Sequence, residues 1–419
     1  MTDLMLIWPD WIQPSAGLPI VQWSVLLALA AAAGHMLQRH LGLPKVLGYC
    51  VIGTLAGFSD FTGASWPLSG IGLFLVELGL SVVLFEAGGR LAFRWLRHNP
   101  MLLVQSVAES AATFAAVYGT LHVLDVDPKL LAPLSLLAVA ACPTVLMRVA
   151  TDLRASGPVT DRSIALASLN TLWVLPLGGV MARYLGEAEL SLRGAAYPVV
   201  VLLGISVAFG AVLALTLRIT LRWMNPVSEN TSVVLLALVA ICTTLAANFG
   251  GSAPLAALLA GMLLKALHPR PWSWPRQFGT AASMLTILML VLVSLVAAQA
   301  HWSMQVFSLV AAVAVARSAA KMAAIAMGSV GSGASLRQAL WSACAIWPMS
   351  AVALLLVSQF SAFAPVIGAQ IAALALPLIL MMELLGALMC TVALRRSGEA
   401  CGPTALKHVQ PSGESSHAT

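Results

Sequence analysis

The sequence predicts an all-α integral membrane protein of about thirteen transmembrane helices, arranged as an inverted repeat with two broken helices. Three observations lead there. The 419 residues are 60% hydrophobic and 9% charged, whereas a soluble domain is about 25% charged. Runs of roughly 20 mostly apolar residues, the length that crosses a bilayer, recur from Ile20 to Met389. They lack the apolar–polar alternation of an outer-membrane barrel and the polar faces at period 3.6 of a soluble helical protein. Finally, the basic loop residues alternate in a pattern that the span count must satisfy.

By length and breaks, the spans fall near 20–38, 43–58, 70–88, 100–122, 130–150, 162–182, 195–217, 231–248, 253–267, 278–298, 304–327, 338–358 and 367–391. The second and ninth are short, which suits a tilted helix or one packed inside the bundle. With this count Arg39, Lys45, Arg90, Arg94, Arg97, Arg148, Arg154, Arg162, Arg218, Arg222, Lys265, Arg270, Arg276, Arg337, Arg395, Arg396 and Lys407 share one side. Only Lys129, Arg183 and Arg193 occupy the other. Basic loops are cytoplasmic, so the N-terminus is placed outside and the C-terminus in the cytoplasm. The same bias accounts for the net charge of +6 without a nucleic-acid partner.

Three regions follow. Residues 1–19 form an extracytoplasmic segment with Trp8 and Trp11 as interface anchors and no basic n-region of a signal peptide. Residues 20–392 form the transmembrane domain. Residues 393–419 form a polar, cytoplasmic and disordered tail. Five cysteines, Cys50, Cys142, Cys242, Cys344 and Cys390, lie in or beside spans and read as packing residues. No metal-ligand spacing and no dinucleotide fingerprint occurs, so no cofactor is expected and the chain does not read as an enzyme.

Ionisable residues at membrane depth are costly and therefore point to function. They are Glu77, Glu86, Glu109, Arg317, Lys321 and Glu383. Arg317 is near the middle of its span, and Lys321 lies one turn away on the same face. An unpaired charge at the centre of a helix costs about 2.5–3.5 kcal/mol on the insertion scale, so these two cations demand partners or water. Glu109 is near the middle of the fourth span. An ion pair that only holds the bundle together is the simpler alternative. Glu86 ends a span beside Gly88 and Gly89 and reads as interfacial; Glu77 and Glu383 pair or face a cavity.

Two prolines interrupt spans: Pro143, in Ala140-Ala141-Cys142-Pro143-Thr144, and Pro348, in Ala345-Ile346-Trp347-Pro348-Met349-Ser350. Proline removes a backbone hydrogen bond and frees a carbonyl, which in lipid must be satisfied by protein or water. Interrupted helices at matching places in two halves mark a transporter's binding site. Here they match: fourth to sixth spans in one half, eleventh to thirteenth in the other, starting on opposite sides.

At this point the chain resembles the cation:proton antiporter superfamily, the bacterial sodium/proton exchangers and Kef-type potassium/proton antiporters, over about residues 20–392. The stretches that carry the resemblance are Leu43-Pro44-Lys45-Val46-Leu47-Gly48-Tyr49, Glu77-Leu78-Gly79-Leu80 and Leu84-Phe85-Glu86-Ala87-Gly88. Pro143, Leu169-Asn170-Thr171, Gly261 and the Arg317 helix follow in order. The resemblance implies thirteen helices, a homodimer in the bacterial inner (plasma) membrane, and elevator-like alternating access around two crossing broken helices.

The chain departs from the family at the site. The family's sixth-span pair ends in an Asp that binds ion and proton in turn; here the pair is Asn170-Thr171. Cys142 stands where sodium-type exchangers often carry another Asp. The expected function is exchange of a monovalent cation, Na⁺ or K⁺, for protons. Asn170, Thr171, Thr144 and carbonyls near Pro143 and Pro348 would offer neutral oxygens, and Glu109 would carry the proton. Two alternatives stay open: an anion carrier using Arg317 and Lys321, and a non-transporting paralogue.

Overall fold

A computed structural model describes residues 18–59, 66–68, 70–91, 93–185, 192–224, 228–267, 276–329 and 331–400. Trp8, Trp11, Arg270, Cys401 and the tail beyond Ala400 lie outside the described residues. Those described contain helices and no strand. In chain order the helices are α1 (Leu18–Met36, prolonged by a π-helical turn at Leu37–Leu41), α2 (Lys45–Phe58), α3 (Gly70–Arg90) and α4 (Phe93–His98). Then come α5 (Pro100–Val123), α6 (Pro128–Val139), α7 (Pro143–Leu153), α8 (Pro158–Tyr184) and α9 (Leu192–Trp223). After them run α10 (Glu229–Asn248), α11 (Ala253–Leu267), α12 (Arg276–Ala298) and α13 (Met304–Met327). The last are α14 (Leu336–Ala345), α15 (Ser350–Phe363) and α16 (Pro365–Arg396).

Among the described residues, ten spans are long and apolar enough to cross a membrane, and the bent pair α14–α15 makes an eleventh. The short α2 and α11, the second and ninth spans of the sequence reading, are apolar but shorter; the count of thirteen depends on them. The protein is a multi-pass membrane protein. Large apolar side chains such as Val104, Val107, Val200, Val207, Val212 and Ile241 stay exposed on the helix surfaces, where lipid replaces water as the solvent.

The helices sort into two bundles. One holds α1–α3 and α9–α12. The other holds α5–α8 and α13–α16, two stretches with the same order: a helix, a broken helix, a helix. Small residues let backbones approach within the first bundle. A Cβ on Gly261 of α11 would strike the Phe85 carbonyl of α3, and one on Gly88 would strike the Leu258 carbonyl of α11. Those contacts explain two of the four glycines in the family-like stretches, Gly88 and Gly261. Before α2, Gly42 takes a left-handed turn (φ 64°) and Pro44 caps the helix start. The Lys45 amide then donates to Asp152 of α7 at 3.1 Å.

The breaks sit where the prolines put them. α6 ends at Val139, Ala140 and Cys142 are extended, and Pro143 opens α7 at the first-turn position that tolerates its missing N–H. α14 begins with a capping box, Ser335 and Gln338, and ends at Ala345. α15 restarts at Ser350 after a 50° bend. α16 continues to Arg396. Just after it, Glu399 accepts from the Val159 and Thr160 amides at the start of α8, both at 2.7 Å.

Candidate functional site

The two breaks touch. The Cys142 amide donates to the Pro348 carbonyl at 3.1 Å, so the four half-helices α6, α7, α14 and α15 meet at one crossing. A helix end leaves carbonyls unpaired and carries a partial negative charge. Arg317 of α13 answers both. Its Nε donates to the Ala138 carbonyl at 2.7 Å, Nη2 to Ala140 at 2.8 Å and Nη1 to Trp347 at 2.7 Å. Lys321, one turn along, donates to Val139 at 3.0 Å and forms an ion pair with Glu109 of α5. All three side chains are buried.

Glu109 joins this charge to the sixth span of the sequence reading. It accepts from Asn170 Nδ2 at 3.2 Å and from the Thr113 hydroxyl at 3.3 Å. Asn170 Oδ1 in turn accepts from the Ala141 amide at 2.8 Å. The Thr171 hydroxyl donates to the carbonyls of Ala141, at 3.2 Å, and Ala167, at 2.9 Å. Cys142 Sγ lies 3.1 Å from the Thr144 hydroxyl. Thus Glu109, Cys142, Pro143, Thr144, Asn170, Thr171, Arg317, Lys321 and Pro348 gather at one crossing. Arg317 and Thr171 hold neighbouring carbonyls of one break, at Ala140 and Ala141.

A cavity of about 850 Å³ opens where α4 and the starts of α5 and α8 meet, lined among others by Trp95, His98, Met101, Asp161, Arg162 and Ala165; none of the crossing residues lines it. On its α8 wall Arg162 donates to Gln105 at 2.5 Å, and Gln105 lies one turn from Glu109 on α5. The sequence held no sign of this cavity, because its walls come from three separate stretches, within residues 90–102, 157–165 and 331–338.

Among the described residues four charged side chains are fully buried: Arg317, Lys321, Glu109 and Glu383. Glu383, on α16, accepts from the hydroxyls of Ser294, at 3.1 Å, and Ser350, at 3.2 Å. Glu86 instead pairs with Arg90 at 2.9 Å near the surface, which suits its interfacial reading.

The sequence matches a family described as "Sodium/hydrogen exchanger, transmembrane" across residues 25–396. The chain belongs to that family. Two solved structures of the sodium proton antiporter MjNhaP1 from Methanocaldococcus jannaschii share the exchanger-family fold. One, determined at pH 8, has a TM-score of 0.69 at 15% identity, covering 90% of this chain and 98% of the other. The second, from electron microscopy, has a TM-score of 0.68 at 15% identity, covering 94% and 99%. No curated protein matches this exchanger-family sequence.

Proposed function

We propose that this protein exchanges a monovalent cation, Na⁺ or K⁺, for protons across a bacterial inner membrane, and that Glu109 takes over from the acid replaced by Thr171. One observation carries this reading: Glu109 is the carboxylate hydrogen-bonded to Asn170, at the crossing of the broken helices. A buried carboxylate needs one compensating positive charge. Lys321 supplies it in the state described here; a proton or a bound cation supplies the same charge, so the two compete for one group. The Thr171 hydroxyl, already turned to two carbonyls, cannot titrate.

Purified protein in liposomes with a pH dye inside tests this. A Na⁺ or K⁺ gradient is expected to drive proton movement, and Glu109→Gln is expected to abolish it. Anion flux without coupled protons would favour the anion reading instead. That reading has less support, because each Arg317 nitrogen already donates to a carbonyl.

The orientation is part of the same proposal, resting on the basic-residue asymmetry. A single cysteine at Asp60 or Glu187, both outside the described residues, is expected to react with an impermeant thiol reagent on intact cells, whereas one at Arg94 is not. Labelling at Arg94 would reverse the topology.

A further inference from the structure

The crossing uses three of the four buried charges; the fourth, Glu383, stands apart. Its partners are two hydroxyls and the Cys50 thiol, none of them basic. Glu109 by contrast has Lys321. A bare carboxylate at this depth is expensive, and hydroxyl donors satisfy its lone pairs without supplying positive charge.

Its position is informative twice over. Within the repeat, the third helix of each stretch faces the restart of its own broken helix. α8 sets Asn170 on the Ala141 amide, just before α7. α16 sets Glu383 on Ser350, the first residue of α15. The acid absent at Thr171 thus has a counterpart in the other repeat. The N-terminal end of α15 adds a partial positive charge that suits a carboxylate.

The second point is the seam. Glu109 bonds only within the second bundle, to α8 and α13 and to Thr113 on its own helix. Glu383 bonds to Ser350 in that bundle but to Ser294 of α12 in the other, with Cys50 of α2 alongside. A sliding of one bundle along the other leaves the Glu109 cluster intact and changes the surroundings of Glu383.

We propose that Glu383, Ser294 and Ser350 form a second monovalent-cation site, placed on the seam between the bundles. Two carboxylate oxygens and two hydroxyl oxygens are the hard ligands that an alkali cation takes, and the cation supplies the positive charge the carboxylate lacks. On binding, both hydroxyls turn their lone pairs to the ion. The proposal takes from the preceding reading that a monovalent cation is the cargo; it adds a place where binding and sliding meet.

The test uses the full chain in detergent, with thermal unfolding followed in choline chloride, NaCl and KCl. The wild type is expected to gain stability in NaCl or KCl over choline. Glu383→Gln is expected to lose most of that gain. Ser294→Ala and Ser350→Ala, which keep the acid, are expected to need several-fold more cation for the same gain. An unchanged cation response in all three variants overturns the site, as does a wild type indifferent to both cations. In liposomes, exchange that persists in Ser294→Ala with an unaltered apparent KM for the cation also overturns it, while leaving Glu109 in place. A wild type that shows the cation response but moves no protons rejects the transport reading and keeps the site.

Discussion

Arg317→Ala is expected to yield a protein that barely assembles and does not transport. The guanidinium satisfies the carbonyls of Ala138, Ala140 and Trp347 at the ends of two helices. Each buried group left without a partner costs about 1–3 kcal/mol, and a whole domain is stable by only about 5–15 kcal/mol. Three such losses in one variant consume much of that margin. Arg317→Lys is expected to rescue little. One ammonium replaces the charge but cannot hold the planar fork against three separate carbonyls. Heating followed by size-exclusion chromatography reads the outcome. A wild-type midpoint for the alanine variant would mean that water or backbone shifts satisfy the crossing without Arg317.

The second large effect concerns the buried pair. Lys321→Met alone strands Glu109 as an uncompensated charge, and breaking a buried pair from one side costs about 3–5 kcal/mol. Adding Glu109→Gln removes the stranded charge, and replacing both members of such a pair is often close to neutral. The double variant is therefore expected to be markedly more stable than Lys321→Met, yet devoid of cation-driven proton movement. Glu109→Gln alone leaves Lys321 on the Val139 carbonyl and is expected to fall between. Thermal midpoints of the four proteins form the cycle. Losses that simply add would show that the two residues are not coupled.

Much of the fold was legible because the bilayer restricts the options. Apolar run length, the alternation of arginines and two prolines marked the helices and both breaks, with Pro143 and Pro348 where the structure interrupts them. Arg317 and Lys321 on one face, and Glu109 at mid-membrane depth, also followed from spacing and the cost of buried charge; that Glu109 is the partner of Lys321 did not. The partner of Arg317 was not legible. A sequence reading looks for a carboxylate, whereas the structure answers with peptide dipoles at helix ends, which no residue letter encodes. α4 escaped because six residues with two arginines and a histidine read as a charged loop. Glu383 stayed undecided for a topological reason: Ser294, Ser350 and Cys50 lie 89, 33 and 333 positions away along the chain.

Arg317 has a mechanical consequence. Reaching α6 on one side and the α14–α15 break on the other, it works like a rivet, with the Cys142–Pro348 bond as a second fastener. A joint pinned at two points does not flex about either. The half-helices are therefore not levers free to swing separately; any displacement that keeps these bonds carries them as one block.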